Sequence, residues 1–327
     1  MSSASLDRAG RPVFLGIDGG GTKTSFLLLD GEGRLLARHV SGTSYYLEIG
    51  FDALRALLRE GVAETLKQAQ LAPAQVTSAF AGLPAHGEDS ALQGAFDALL
   101  EGVLPRARIG NDMICSWAGS LGGEDGISLV AGTGSMAYGQ WGERDARSGG
   151  WGEVFGDEGS AYWLAREGLA LFARMADGRA EPGPLLELVR GHFGLAQDLD
   201  LCAAINGHAA RSRLAQFARL ASAAAADGDA QAGALLTRAG EELAALAGAV
   251  ARRLELPVGA GVPVSYTGGV FEAGAAVTDA LRAALTRALP GAMLMAPRFG
   301  PELGAAMHAA RLVGVRLVPV AAAAAAA

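Results

Sequence analysis

A strand, a glycine-rich loop and a second strand occur twice in this chain, and that recurrence constrains the fold more than any other feature. Residues 13–17 are apolar, Asp18-Gly19-Gly20-Gly21-Thr22-Lys23-Thr24 follows, and residues 25–29 are apolar again. Residues 127–131 likewise lead into Gly132-Thr133-Gly134-Ser135, and 136–141 can pair back. Short apolar runs joined through glycine read as antiparallel hairpins. The chain has 47 glycines, about twice the ordinary usage of roughly 7%. They gather at 19–21, 132–134, 149–152, 156–159 and 268–269. Clusters of this kind mark tight turns or close backbone approach to a ligand.

The elements around these loops alternate. After a turn at 30–33, residues 34–40 read as a third strand, 52–68 as a helix with Leu54, Leu57, Leu58, Val62 and Leu66 on one face, and 76–80 as a strand. A helix over 91–100, a strand over 107–109 and a short helix from Asn111 complete an α/β pattern with a mixed sheet. Residues 158–254 read as almost entirely helical, with Leu235, Ala239, Leu243, Leu246, Val250 and Leu254 forming one stripe. A strand over 262–266 and helices over 275–288 and 301–312 follow. The alanine run 321–327 carries no pattern.

Composition narrows the class. A chain of 327 residues with 50% hydrophobic residues supports about two domains. Its net charge of -7 contains no basic block, so neither nucleic acid nor an anionic membrane is an expected partner. Two cysteines, Cys115 and Cys202, are too few for a disulfide framework or a zinc site. Residues 1–12 lack an apolar stretch, and no uncharged apolar run is long enough to cross a bilayer. A soluble, reduced, cytoplasmic protein is expected.

The first loop is not a common nucleotide motif. Counted from Gly16, a Walker A would need lysine where Thr22 stands, and a Rossmann GxGxxG would need glycine at Thr24. A strand rather than a helix follows it. What it offers is amide N–H groups open to phosphate oxygens, side-chain donors at Thr22 and Lys23, and a carboxylate at Asp18 suited to organising a hydrated Mg²⁺. A plain hairpin turn is the alternative, and it would need fewer glycines. The second loop offers the same amide chemistry.

Asn111-Asp112 follows a strand and opens a helix. A carboxylate there either accepts a proton from an attacking hydroxyl or caps the helix, and both readings stand on the residues alone. Gly149-Gly150-Trp151-Gly152 and Gly156-Asp157-Glu158-Gly159-Ser160 combine amides, carboxylates and an indole suited to sugar hydroxyls and an apolar sugar face, with helix capping the alternative for the acids. Tyr266-Thr267-Gly268-Gly269 ends a strand on a glycine turn that suits a flat base.

Taken in order, GIDGGGTKT (16–24), NDM (111–113), VAGTGS (130–135), GGWGEVFGDEGSAYW (149–163) and YTGGVF (266–271) resemble the sugar kinase, Hsp70 and actin superfamily. Within it they look like the N-acetylglucosamine kinases grouped with the BadF/BadG/BcrA/BcrD ATPases. The resemblance implies two actin-like, ribonuclease H-like lobes with mixed five-stranded sheets flanked by helices, and an active site in the cleft between them. The lobes would comprise 1–120 and 121–327, the second with a helical insertion at about 158–255. It implies Asp112 as general base, and Gly19, Gly20, Gly21, Thr22, Lys23, Thr24, Gly132, Thr133, Gly134 and Ser135 around the phosphates of ATP. Gly268 and Gly269 would lie against adenosine. Ser44, Tyr45, Thr133, Gly150, Trp151 and Asp157 would meet the sugar, and Asp18 would hold Mg²⁺ through water. Relatives carry an asparagine near 42–45, where Ser44 or Tyr45 stands here, so the amino sugar itself stays open among N-acetylglucosamine, glucosamine and N-acetylmuramate. A homodimer is expected. The rival reading within the same grouping is an ATPase activating an acyl-CoA reductase or dehydratase, which needs cysteines for an Fe–S cluster.

Overall fold

The structure is a computed structural model and describes residues 10–206, 211–257, 259–272 and 274–320. The readings of residues 1–9 and of the alanine run 321–327 lie outside the described residues. The chain divides into two compact units, one drawn from residues before Asp125 and from Pro297 onward, the other Asp125–Ala296.

The first unit begins with strands β1 (Val13–Gly19), β2 (Thr24–Asp30) and β3 (Leu35–Ser41) and helix α1 (Tyr46–Ala69), broken at Gly50. Strand β4 (Ser78–Leu83), helix α2 (Gln93–Asp97), strand β5 (Ala107–Asn111) and helix α3 (Met113–Ser120) follow. The sheet order is β3-β2-β1-β4-β5, antiparallel through the first three strands and parallel from β1 to β5. Alternation along β1 sends Leu15 and Ile17 into a layer with Leu54, Leu58 and Leu66 of α1, and Phe14 into the opposite layer. Because both faces are covered, β1 and β2 are apolar almost without interruption, as buried strands must be.

The second unit repeats this plan. Strands β6 (Gly126–Ala131), β7 (Ser135–Trp141) and β8 (Arg144–Gly149) form the antiparallel part. Helices α4 (Ala161–Ala176), α5 (Pro184–Phe193), α6 (Leu201–Asn206), α7 (Arg211–Ala215), α8 (Ala218–Ala226) and α9 (Ala230–Arg253) form the insertion. Strand β9 (Pro263–Thr267), helices α10 (Gly269–Glu272) and α11 (Ala275–Ala288) and strand β10 (Met293–Met295) close the unit. The order β10-β9-β6-β7-β8 matches the first sheet strand for strand. Two mixed five-stranded sheets flanked by helices are therefore present, as expected.

Helix α12 (Pro301–Arg311) departs from expectation. Sequence reading assigns everything after residue 120 to the second lobe, whereas α12 packs in the first unit. Its Leu303, Ala305, Ala306, Ala309 and Ala310 cover the Phe14, Leu27, Leu29 and Phe80 face, with Cys115 of α3 beside them. Small residues permit this: Gly16 lies directly against Ala305 and Ala306, and Gly304 against Gly119. Without that helix one face of the first sheet would stand open to water, and no local pattern in the sequence reports which sheet lacks a cover.

Three smaller differences have local causes. The helix expected over 91–100 is only five residues long, because its apolar positions complete turns around Phe96 and Leu99. Strand β8 escaped notice because it is polar, as an edge strand paired only to β7 can be. The stripe on α9 is shifted by a residue at one end: Leu236 is buried and Leu235 only half-buried, while Ala239, Leu243, Val250 and Leu254 lie in the core as read. No helix among the described residues is long and apolar enough to cross a membrane.

Candidate active site

In the first unit, the carboxyl ends of β1, β4 and β5 converge because these strands pair in parallel, with Asp18 opposite Gly82 and Leu83 opposite Asn111. Asp18, Gly82 and Asp112 thus meet at one edge of the sheet. Asn111, rather than Asp112, supplies the side-chain cap of α3. Its Oδ1 accepts the Met113 amide at 3.1 Å and its amide nitrogen donates to the His86 carbonyl at 3.0 Å. Asp112 has helical φ and ψ, and its side chain makes no cap hydrogen bond. Its carboxylate is half-buried at the start of α3.

Asp18 is under electrostatic pressure. Burial, then the neighbouring Asp112 and Glu302 carboxylates, push its acid up to about 8, against the opposing charge of Lys23 and a hydrogen bond from the Cys115 thiol. Two crowded carboxylates with one poorly tolerated negative charge are a setting that a divalent cation relieves. Among the described residues no group of three or more His, Cys, Asp or Glu surrounds a common point. Asp18 and Asp112 match the one or two carboxylates that Mg²⁺ takes alongside water and phosphate oxygens.

The first glycine loop separates fold-required from fold-independent glycines. A Cβ on Gly19 would run into the Ser44 hydroxyl and lie 2.9 Å from the Gly82 carbonyl, so close packing demands glycine there. A Cβ on Gly21 would meet nothing within 4 Å, and its φ lies outside the left-handed region. Thr22 and Lys23 are exposed beside it. Thr24 is different: it is buried and its hydroxyl donates to the Gly42 carbonyl at 2.8 Å, bracing the loop. Ser44 is fully buried and its hydroxyl has no hydrogen-bond partner among the described residues, whereas Tyr45 is half-buried at the start of α1.

In the second unit, the loop between β6 and β7 is stitched to the segments that follow it. The Gly132 amide donates to Gly134 at 3.0 Å, and the Ala161 and Tyr162 amides at the start of α4 donate to the Gly132 and Thr133 carbonyls at 2.9 and 3.3 Å. The Ser135 hydroxyl donates to the Glu158 carbonyl at 2.7 Å, and the Gly150 amide donates to Ser135 at 3.0 Å. The Gly268 turn, at φ +109°, presses on Ala131 and the Gly132 amide. Gly132, Thr133, Gly134, Ser135, Gly150, Asp157 and Gly268 are thereby gathered in one place. Trp151 is 70% exposed, with Val154 and Phe155 also exposed on its loop. Asp157 is buried in the left-handed region at φ +60°. Its Oδ1 accepts the Ser135 amide at 3.2 Å and its Oδ2 accepts from Arg211. Burial, chiefly, raises its acid above the ordinary carboxylate range.

The sequence matches the profile of the BadF/BadG/BcrA/BcrD ATPase family over residues 15–309. The chain belongs to this family. It is 30% identical to the N-acetyl-D-glucosamine kinase of Dictyostelium discoideum over 312 residues, covering 91% of this chain and 98% of that one. It is 28% identical to the N-acetylmuramic acid/N-acetylglucosamine kinase of Clostridium acetobutylicum over 234 residues, 70% of this chain and 76% of the relative. Among solved structures, a protein of Chromobacterium violaceum provisionally assigned as an N-acetylglucosamine kinase superposes with a TM-score of 0.69 at 30% identity, over 90% of this chain and 97% of its own.

Residues outside the family's glycine motifs also shape these places, and sequence reasoning passed over them. Gly82 lies against the Cys115 sulfur, with a Cβ there 3.0 Å from the Asp112 Cα; its only signal is a glycine at the end of a strand. Glu302 and Arg211 reach Asp18 and Asp157 from 284 and 54 positions away, and nothing local marks them.

Proposed function

We propose that this member of the ATPase family is an ATP- and Mg²⁺-dependent amino-sugar kinase, with N-acetylglucosamine the preferred acceptor and its 6-hydroxyl the nucleophile. The observation that carries the reading is Asp112: a carboxylate at a strand end, beside Asp18, whose helix is capped by Asn111 instead. The names of the relatives, all amino-sugar kinases, support the substrate class.

In this reading Asp112 accepts the proton of the attacking sugar hydroxyl as that oxygen bonds to phosphorus. Gly20, Gly21 and Thr22 offer amides to phosphate oxygens, with Lys23 adding positive charge. Gly132, Thr133 and Gly134 do the same in the second unit, where Gly268 and Gly269 lie along the adenosine. Gly150, Trp151 and Asp157, with Tyr45 in the first unit, meet the sugar. Asp18 would hold Mg²⁺, which when bound spreads the charge that builds on the transferring phosphoryl group. Most of the acceleration then comes from positioning and electrostatics. ATP, the amino sugar and Mg²⁺ are the proposed partners, in a cytoplasmic homodimer.

The cysteines argue against the activator reading. Cys115 is fully buried against Ile17 and Asp18, which leaves only Cys202 exposed. A four-cysteine cluster shared between two subunits needs two accessible thiolates from each.

ADP release should be followed with N-acetylglucosamine, glucosamine, N-acetylmuramate and glucose as acceptors. Turnover that requires an amino sugar, with N-acetylglucosamine giving the highest kcat/KM, is expected. ADP release indifferent to every sugar would overturn the reading.

A further inference from the structure

We propose that Arg211 is a positioning residue that holds the Asp157 carboxylate in place for the sugar. The inference rests on the reading of Asp157 as a sugar ligand and adds a residue that lies in none of the glycine motifs.

Four observations converge on it. Arg211 Nη2 donates to Asp157 Oδ2 while the Ser135 amide donates to Oδ1 at 3.2 Å, so the carboxylate is pinned from a helix on one side and a phosphate loop on the other. Glu153 Oε2 lies 3.3 Å from Arg211 Nε and steers the guanidinium from behind. Gly134 leaves the room: a Cβ there would collide with Arg211 Nη2 and sit 2.9 and 3.0 Å from the two Asp157 oxygens. Finally, Asp157 is only 2% exposed and stands at φ +60°, an unfavourable backbone for aspartate that the surrounding contacts must hold.

The physical consequence follows from charge burial. A buried carboxylate is tolerated when it is paired, and it takes up a proton when its partner is removed. The charged groups facing Asp157 are Arg211 from α7 and Glu153 from its own loop, and Glu153 works against ionisation. Loss of the guanidinium therefore raises the acid of Asp157 further and favours its protonated form. A protonated carboxyl donates where it should accept, and it turns away from the Ser135 amide. Sugar binding suffers, while Asp112 and the first phosphate loop, in the other unit, are untouched.

The test uses the full chain and steady-state kinetics with N-acetylglucosamine and ATP. Arg211→Ala is expected to raise the sugar KM at least tenfold at pH 7 with the ATP KM changed less than twofold. Its sugar KM should fall as pH rises and Asp157 ionises, with a steeper pH dependence than the wild-type value shows. Arg211→Lys should restore most of the affinity. Arg211→Gln keeps a donor without charge and gives the same pH signature if the alanine variant folds poorly. Asp157→Asn separates the two layers: a raised sugar KM in that variant with a normal sugar KM of wild-type pH dependence in the Arg211 variants overturns the Arg211 inference alone. An unchanged sugar KM in Asp157→Asn overturns both.

Discussion

Asn111 closes the first turn of α3 by accepting the Met113 amide on its Oδ1 at 3.1 Å, and so releases Asp112 from that duty. Two adjacent residues that both favour helix starts have divided the work: one supplies the cap, the other keeps its carboxylate. In the proposed reading, the same division leaves the helix cap to Asn111 and the base role to Asp112.

Opposite outcomes are therefore expected at these two positions. Asp112→Asn should lower kcat by about 10²–10⁴, the range for a lost general base, with little change in melting temperature. Asn111→Ala should cost about 1 kcal/mol of stability through the lost cap. Coupled turnover assays and thermal unfolding of both variants check the pair. A base role for Asp112 fails if its variant keeps near-wild-type kcat.

Gly19 and Gly21 should also separate. A Cβ on Gly19 collides with Ser44 and crowds Gly82, so Gly19→Ala should destabilise the protein by about 1–3 kcal/mol. Gly21→Ala meets nothing in the protein and should leave stability within about 0.5 kcal/mol. On the proposed reading it should still raise the ATP KM several-fold, because the added methyl would take space assigned there to a phosphate. Urea unfolding and ATP titration read the two effects independently.

Gly82 and Cys115 should behave as a coupled pair. Gly82→Ala forces a methyl onto the Cys115 sulfur and should cost about 1–3 kcal/mol. Replacing Cys115 by alanine in the same chain removes the obstacle and should recover part of that loss. A double-mutant cycle on unfolding free energies measures the coupling, and strict additivity would show that the two do not press on one another.

His308 sets an acid limit on stability. It is buried on α12 against Phe80, with ring centroids 4.5 Å apart, and burial together with Arg311 holds its imidazolium down to about 4 from 6.5. Between those pH values the unfolded chain takes up the proton and the folded chain does not. Its contribution is therefore complete above about pH 6.5 and lost as pH falls toward 4, on the order of 3 kcal/mol in all. Asp18, whose acid is raised on folding, acts in the opposite direction with pH, so the comparison must be differential. The gap between wild type and His308→Gln in urea midpoint should shrink from pH 7 to pH 4.5.

Much of this site was legible locally. The two glycine loops, Asp18, Asp112 and the 149–163 segment stand beside strands that their own apolar runs announce, and the structure sets each of them at a strand end or helix start. The family resemblance places Thr24 and Ser44 among the ligand contacts. Burial decides otherwise for the Thr24 hydroxyl, which is spent on Gly42, and encloses Ser44 beneath Gly19. Neither fact follows from residue type, since both depend on how closely the 42–44 turn packs on the loop.

The amino-acid sequence alone determined the repeated strand–loop–strand plan, because hydrophobic period and glycine content act over a few neighbouring residues. Only the tertiary structure decided that α12 covers the first sheet, that Asn111 rather than Asp112 caps α3, and that Arg211 pairs with Asp157. Those are contacts whose energies come from desolvation and close packing between distant segments, and such terms exist only once the chain has folded.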